Sequence, residues 1–316
     1  MLPWLSLVLV LLVTGVALCT VTVFLMAQML LTPPRMTDAK ALVVLRRLSP
    51  TDVGLDFQEL TFDIHNEATG QPLRIAAWWI PMKRPTDRTV IIIHGYGDAK
   101  VGGIAWAPMF HEMGWNILAI DLRAHGESGG TQTTAGYWER HDLNQILNRL
   151  RTDRPKETQT LILFGVSLGA AVALAAAVTR DDLAAVVLEG PFADYGDAVA
   201  AHGRLFGAPG GILQDLALRL AQNFSRADFG AVRPVDLIPQ SPCPVMVIHG
   251  AEDAFMIKDE ARRLSAALAK HAGPRDVFWE VPAAGHVLCL SCDPISYRTR
   301  VEAFLNSVTR SPQGPL

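Results

Sequence analysis

The chain predicts an α/β fold: a three-layer sandwich around a mostly parallel sheet, with a small helical cap and an N-terminal transmembrane helix. Three observations carry this expectation. Short, nearly continuous apolar runs recur at 89–95, 115–122, 160–167, 183–190 and 244–250, and such runs mark strands buried on both faces of a parallel sheet. Segments of helical period lie between them, so strand and helix alternate. Ahead of all this, residues Leu2 to Thr32 include no charged residue, a stretch longer than the roughly 20 apolar residues a bilayer span requires.

The N-terminal run reads as an uncleaved anchor over residues 1–34. A secretory signal would show a basic start, a shorter apolar core and a small-residue cleavage site. No Lys or Arg precedes the run, and "VALC" at 16–19 departs from a lipoprotein box because Leu18 stands where a small residue is expected. "TPP" at 32–34 stops the helix, since proline cannot continue one. Arg35, Lys40, Arg46 and Arg47 follow. The positive-inside rule then places the main domain, 35–316, on the cytoplasmic side of a single-pass membrane protein.

Composition bounds the rest. Of 316 residues, 50% are hydrophobic and 19% charged, enough to build a sizeable core. The net charge is −3 with no long basic run, so no nucleic-acid partner is expected. Four cysteines are too few for a disulfide scaffold.

The elements follow in order. "FQELTFDI" (57–64) alternates apolar and polar residues as a half-buried strand does, and "LRIAAWWI" (73–80) reads as its hairpin partner. The five apolar strands come next, and "DVFWEVP" (276–282) is the last. Helices are expected at 104–113, 135–152, 168–180, 256–272 and 294–309. Residues 191–242 form an unusually long connection holding a further helix at 212–224. An insertion of this kind between core strands is commonly a cap, placed here at about 196–242.

The chemistry concentrates in four places. "GVSLG" (165–169) fits G-x-S-x-G between a strand and an alanine-rich helix, the context of a nucleophile elbow that presents Ser167 at the strand tip. A serine hydroxyl needs a base, and the base an orienting carboxylate. "HGAEDAF" (249–255) offers Asp253 and "AAGH" (283–286) offers His286, each after a later strand. "HGYG" (94–97) follows the first parallel strand, where a backbone N–H completes an oxyanion hole. Glu252, Glu189 and Asp194 are alternative acids. His94 reads as a buried, loop-shaping histidine.

With "DLRAHGES" (121–128) between them, these motifs resemble the α/β-hydrolase superfamily from about residue 57 to the C-terminus. Within it the chain is similar to membrane-anchored serine hydrolases with a small cap, and to peptidase-like hydrolases that lack a propeller. The resemblance implies a Ser167–Asp253–His286 triad, with the backbone N–H groups of Tyr96 and Leu168 as the oxyanion hole. It also implies hydrolysis of an ester, thioester or amide. His125, in the recurring loop, is given an architectural part. Ser rather than Asp at the nucleophile position disfavours dehalogenase chemistry.

A small-molecule or acyl-ester substrate is expected, with lipid-like esters favoured by the anchor. A peptidase-like activity (aminopeptidase or acylaminoacyl) and a non-catalytic membrane scaffold are the alternatives. "GRLFGAPGGIL" (203–213) mixes large apolar residues and glycines and is equally an acyl-pocket lining or ordinary cap packing. The remaining histidines sit in no metal-ligand spacing, so neither metal nor cofactor is inferred. Asn223-Phe224-Ser225 is a glycosylation sequon that matters only in a secretory lumen. Cys289 and Cys292 are expected as small apolar residues behind the triad, with a disulfide switch as the rival reading.

Overall fold

A computed structural model describes residues 3–255 and 258–309. The first two positions of the helix expected at 256–272 therefore lie outside the described residues. Eight strands form one sheet: β1 (Gln58–Asn66), β2 (Gln71–Ile80), β3 (Arg88–Ile93), β4 (Asn116–Ile120), β5 (Thr160–Val166), β6 (Ala185–Glu189), β7 (Val245–Gly250) and β8 (Val277–Val281). Their spatial order is β1-β2-β4-β3-β5-β6-β7-β8. The β1–β2 and β2–β4 pairs are antiparallel, and every pair from β4–β3 to β7–β8 is parallel. All eight expected strands are present, most within two residues of their expected ends.

Twelve helices, most of them short, complete the described chain. They are α1 (Pro3–Leu31), α2 (Asp38–Val44), α3 (Lys100–Gly103), α4 (Ala107–Glu112), α5 (Glu139–Asp153), α6 (Leu168–Ala177), α7 (Tyr195–Phe206), α8 (Ile212–Ser225), α9 (Pro234–Leu237), α10 (Lys258–His271), α11 (Cys289–Cys292) and α12 (Pro294–Thr309). One apolar core joins β-sheet residues to α5, α6 and α10 on one face. A second joins them to α4 and α12 on the other. The sheet is thus covered on both sides, which is why its central strands carry little polar alternation. Every residue of α6 is buried, and its alanines let the helix lie close on the sheet under β5.

Two expected helices are modified. The segment 104–113 holds only α4, which starts at Ala107 with Pro108 in its first turn, and the single turn α3 precedes it. The segment 135–152 starts late, at Glu139. Gly136 has φ +100°, and the Glu139 carboxylate instead binds the preceding loop. It accepts from the Thr133 hydroxyl at 2.9 Å, the Thr134 N–H at 2.7 Å and hydroxyl at 2.6 Å, and the Gly136 N–H at 3.0 Å.

The expected N-terminal helix is present, and its docking on the rest of the chain is what the sequence does not anticipate. From Trp4 to Val21 every residue is exposed. Beyond that, α1 docks on the rest of the chain. Ala27 and Leu31 are fully buried in a cluster with Ala217 and Ala221 of α8, Ala135 and Phe229. Ala217 and Ala221 lie one turn apart, a small-residue seam that lets two helices approach closely. Phe24 meets Phe224 edge-on at 6.2 Å. The last turn of a helix leaves four carbonyls without intrahelical partners. Here the Thr32 N–H reaches Gln28 O at 2.8 Å and the Thr133 N–H reaches Leu31 O at 2.8 Å. The Tyr96 hydroxyl donates to Met29 O. Just past the helix, Arg35 donates to the carbonyls of Gly126, Ser128 and Gly130, each at 2.8 Å. Arg35 is therefore a clamp on the 126–130 loop as well as one of the flanking basic residues.

Candidate active site

The site is built at the C-terminal ends of the parallel strands. Ser167 follows β5 directly, with φ 52° and ψ −114°, a strained backbone conformation that costs on the order of 1–3 kcal/mol and persists only where its surroundings enforce it. The flanking glycines are forced by close approach. A Cβ on Gly165 would lie 2.3 Å from Gly169 O, and one on Gly169 would lie 2.2 Å from Ile93 O. The turn is held from below by the Ser167 N–H, which donates to Glu189 O at 2.8 Å.

The three residues expected to form a triad, distant in sequence, meet here. His286 Nε2 lies 3.0 Å from Ser167 Oγ, and His286 Nδ1 lies 2.7 Å from Asp253 Oδ2. The other Asp253 oxygen accepts from the Phe255 N–H at 2.9 Å. The Asp253 side chain is 1% exposed and that of His286 15%, so the pair is shielded while the imidazole keeps an open edge. With Nδ1–H donated to the carboxylate, Nε2 is left to accept the serine proton. Phe255 packs against the His286 ring at 5.2 Å, and Gly190, with φ +57°, lies under it.

The alternative acids lie elsewhere. Glu252 is exposed. Asp194 caps α7 and pairs with Arg233 at 2.6 Å. Glu189 is fully buried and accepts from Tyr297 at 2.6 Å and from Trp106 Nε1 at 3.0 Å. Burial pushes its carboxyl up to about 7, against the pull of those two hydrogen bonds.

Leu168 opens α6, so its N–H belongs to the first helical turn, where donors have no intrahelical acceptor and the helix dipole favours negative charge. Tyr96 sits in the loop after β3, and Gly95 approaches Ser167 so closely that a Cβ there would meet Ser167 Cβ at 3.3 Å. Behind this loop, His94 Nδ1 lies 2.7 Å from Gly95 O and His94 Nε2 accepts from the Leu122 N–H at 3.0 Å. Burial holds this imidazole well below its ordinary range, so it is neutral and its tautomer is fixed by the two bonds. His125 stacks edge-on against His94 at 5.0 Å and bonds its ring Nδ1 to Arg123 O at 2.8 Å. Both histidines shape the loops, as the sequence suggests.

A pocket of about 320 Å³ opens above Ser167, at the lower end of the size typical for small-ligand sites. Ser167, Leu168 and Tyr96 form its floor; Tyr195, Ala198, His202, Gly203 and Phe206 of α7, with Ala208 and Pro209, form one side. The stretch 203–213 thus contributes four pocket residues, Gly203, Phe206, Ala208 and Pro209. Met26, Met29 and Leu30 of α1 form another part of the wall. Sequence reasoning missed these three, along with His202 and Phe255. A hydropathy pattern marks a span and gives no sign that its last turns face inward.

Cys289 is fully buried and Cys292 exposed. The expectation that both would be packed behind the triad is corrected for Cys292, since α11 is a single turn that points the two thiols differently. Burial and the neighbouring Glu189 push the Cys289 thiol up.

An eight-stranded, mostly parallel sheet in this order, with helices on both faces and a serine on a strained strand-to-helix turn, is the α/β-hydrolase fold. Comparisons agree. Residues 84–227 match the family described as Serine aminopeptidase, S33. The Bacillus subtilis (strain 168) protein YqkD, itself uncharacterized, is 28% identical over 72% of this chain and 74% of its own length. YfhR of Escherichia coli (strain K12), also uncharacterized, is 30% identical over 57% of this chain and 59% of its own. Among solved structures, the Pyrococcus furiosus esterase Pf2001 superposes with TM-score 0.71 at 24% identity, covering 89% of this chain and 99% of that one. A Mycobacterium tuberculosis puromycin-hydrolyzing peptidase shares the fold with TM-score 0.61 at 17% identity, over 82% of this chain and 40% of that one.

Proposed function

We propose that the chain hydrolyses a carboxylic ester or thioester with an apolar acyl group, through an acyl-enzyme on Ser167. The observation that carries this reading is the hydrogen-bonded series Ser167–His286–Asp253, whose Ser167 lies at the floor of an apolar pocket. In the first half-reaction His286 Nε2 takes the Ser167 proton as Oγ attacks the substrate carbonyl. The N–H groups of Tyr96 and Leu168 hold the developing oxyanion, each worth about 3 kcal/mol in the transition state. Asp253 fixes the imidazole tautomer and stabilises the imidazolium. The imidazolium then protonates the departing alcohol or thiol. Water, deprotonated by His286, attacks the acyl-enzyme and releases the acid, returning the proton to Ser167.

A peptidase-like reading is favoured by the family match and by the puromycin-hydrolyzing neighbour. Against it, no Asp, Glu, Lys or Arg is among the described residues that line the pocket, so none of them offers a carboxylate to a free amino terminus. The third reading, a non-catalytic scaffold, is disfavoured by the intact hydrogen-bonded series. On our reading α1 is retained as a membrane anchor and the main domain lies on the cytoplasmic side. The docking of its last turns on α8 and Tyr96 supports retention, and Lys40, Arg46 and Arg47 support the orientation.

Comparing p-nitrophenyl esters of rising chain length with aminoacyl anilides tests the substrate class. The proposal expects turnover of esters with a preference for medium or long chains. Turnover confined to anilides contradicts it.

A further inference from the structure

The apolar helix carries two kinds of surface. Its exposed stretch, Trp4 to Val21, is about 27 Å long at about 1.5 Å per residue, close to the roughly 30 Å hydrocarbon core of a bilayer. The remaining turns dock on the protein and put Met26, Met29 and Leu30 into the pocket above Ser167. At the same spacing Met26 lies about 8 Å and Met29 about 12 Å beyond the end of the exposed stretch. The polar layer flanking the hydrocarbon core is about 5–7.5 Å thick on each side, so Met26 lies near its outer edge and Met29 just beyond it. Around the pocket, Phe206 is 78% exposed and Ile212 77%. These are large apolar side chains left in the open beside a helix suited to lipid.

We propose that α1 is part of the substrate site as well as an anchor. Its Met26 and Met29 set the acyl-chain preference, and the site takes its substrate, a long-chain acyl ester, from the membrane in which α1 is embedded. This rests on Ser167 being the nucleophile. An acyl chain leaving the bilayer along α1 stays on apolar surface until its carbonyl reaches Ser167. Methionine suits such a wall, being unbranched and adaptable to chains of different shape. Tyr96 joins the two functions, since its hydroxyl holds Met29 O while its backbone N–H is the oxyanion donor on the proposed mechanism.

The test uses the full-length chain in mixed micelles, with p-nitrophenyl butyrate and p-nitrophenyl palmitate as probes. Met26→Trp and Met29→Trp each narrow the pocket. The ratio of palmitate to butyrate kcat/KM is expected to fall at least roughly tenfold in each. Val10→Trp, on the exposed stretch, is expected to leave that ratio unchanged. Labelling of each variant by a small fluorophosphonate reports that the Ser167 site is folded and reactive. Labelled pocket variants with an unchanged chain-length ratio overturn the proposal. So does recovery of an active natural protein from which α1 has been cleaved. Failure of the wild-type chain to label at all defeats the catalytic reading instead, so the two failures are distinguishable.

Discussion

The Tyr96 hydroxyl donates to the backbone carbonyl of Met29, and this contact ties the loop beside the nucleophile to the last turn of the apolar helix. Burial pushes the phenol up to about 12, so it remains a donor throughout the physiological range. Tyr96→Phe removes the hydroxyl and leaves the backbone N–H. The expected outcome is a loss of about 1 kcal/mol of stability, with faster hydrogen exchange confined to residues 26–34 and 94–98. Unaltered exchange in α1 contradicts the coupling.

Asp253 and Glu252 are adjacent carboxylates with opposite settings, one 8% exposed against His286 and the other facing solvent. Asp253→Asn is expected to lower kcat on the order of 10⁴-fold by favouring the wrong imidazole tautomer. Glu252→Gln is expected to change it less than about twofold, since it touches neither Ser167 nor His286. Steady-state kinetics on one ester decides between them, and the reverse ranking reassigns the acid.

The nucleophile turn admits no side chain at Gly169, where a Cβ would stand 2.2 Å from Ile93 O and 2.5 Å from His94 O. Both contacts are backbone, so relief requires β3 and α6 to separate. Gly169→Ala is expected to cost more than about 3 kcal/mol or to prevent folding, as read by denaturant unfolding or soluble yield. A well-folded variant means the turn is looser than described.

The buried Glu189 gives stability a pH signature. Burial raises it to about 7 in the folded state, above the ordinary 4.5 of a free glutamate. Between those values the folded state holds a proton that the unfolded state has released. Its contribution is therefore fully present below about 4.5 and is lost as pH rises through 7, amounting to roughly 3 kcal/mol. Glu189→Gln keeps an oxygen to accept from Tyr297 and Trp106 and has no proton to lose. The variant is expected to show a flatter dependence of Tm on pH between pH 5 and 8. A parallel dependence in both proteins contradicts this assignment.

The cysteine pair is expected to be redox-inert. The Cys289 thiol is buried and pushed up, which suppresses the thiolate that disulfide exchange requires. Iodoacetamide is expected to modify exposed Cys292 well before Cys289 in the native protein. Diamide is expected to leave ester turnover unchanged. Loss of activity that dithiothreitol restores revives the switch.

Much of this was legible in the sequence, for identifiable reasons. The parallel strands announce themselves because burial on both faces removes polar residues from β3 to β7. Ser167 is legible because its turn tolerates only glycine on either side, and the steric rule is written as G-x-S-x-G. Asp253 and His286 follow from strand order. The cap helix α7 was not legible, because "YGDAVAAHGRLF" carries two glycines and mixed periodicity and is stabilised by Asp194 at its start and by packing. The inward face of α1 was hidden for a different reason. Residues chosen to meet lipid and residues chosen to meet an acyl chain are the same residues, so Met26 and Met29 read as more of the span.

The central claim is that Ser167 is an activated nucleophile. The most direct measurement is intact-mass and peptide analysis of the full-length protein after treatment with a fluorophosphonate. The account predicts a single stoichiometric adduct on the peptide bearing Ser167, absent in Ser167→Ala and strongly slowed in His286→Ala. No adduct on the folded wild-type protein, or an adduct that survives Ser167→Ala, contradicts it.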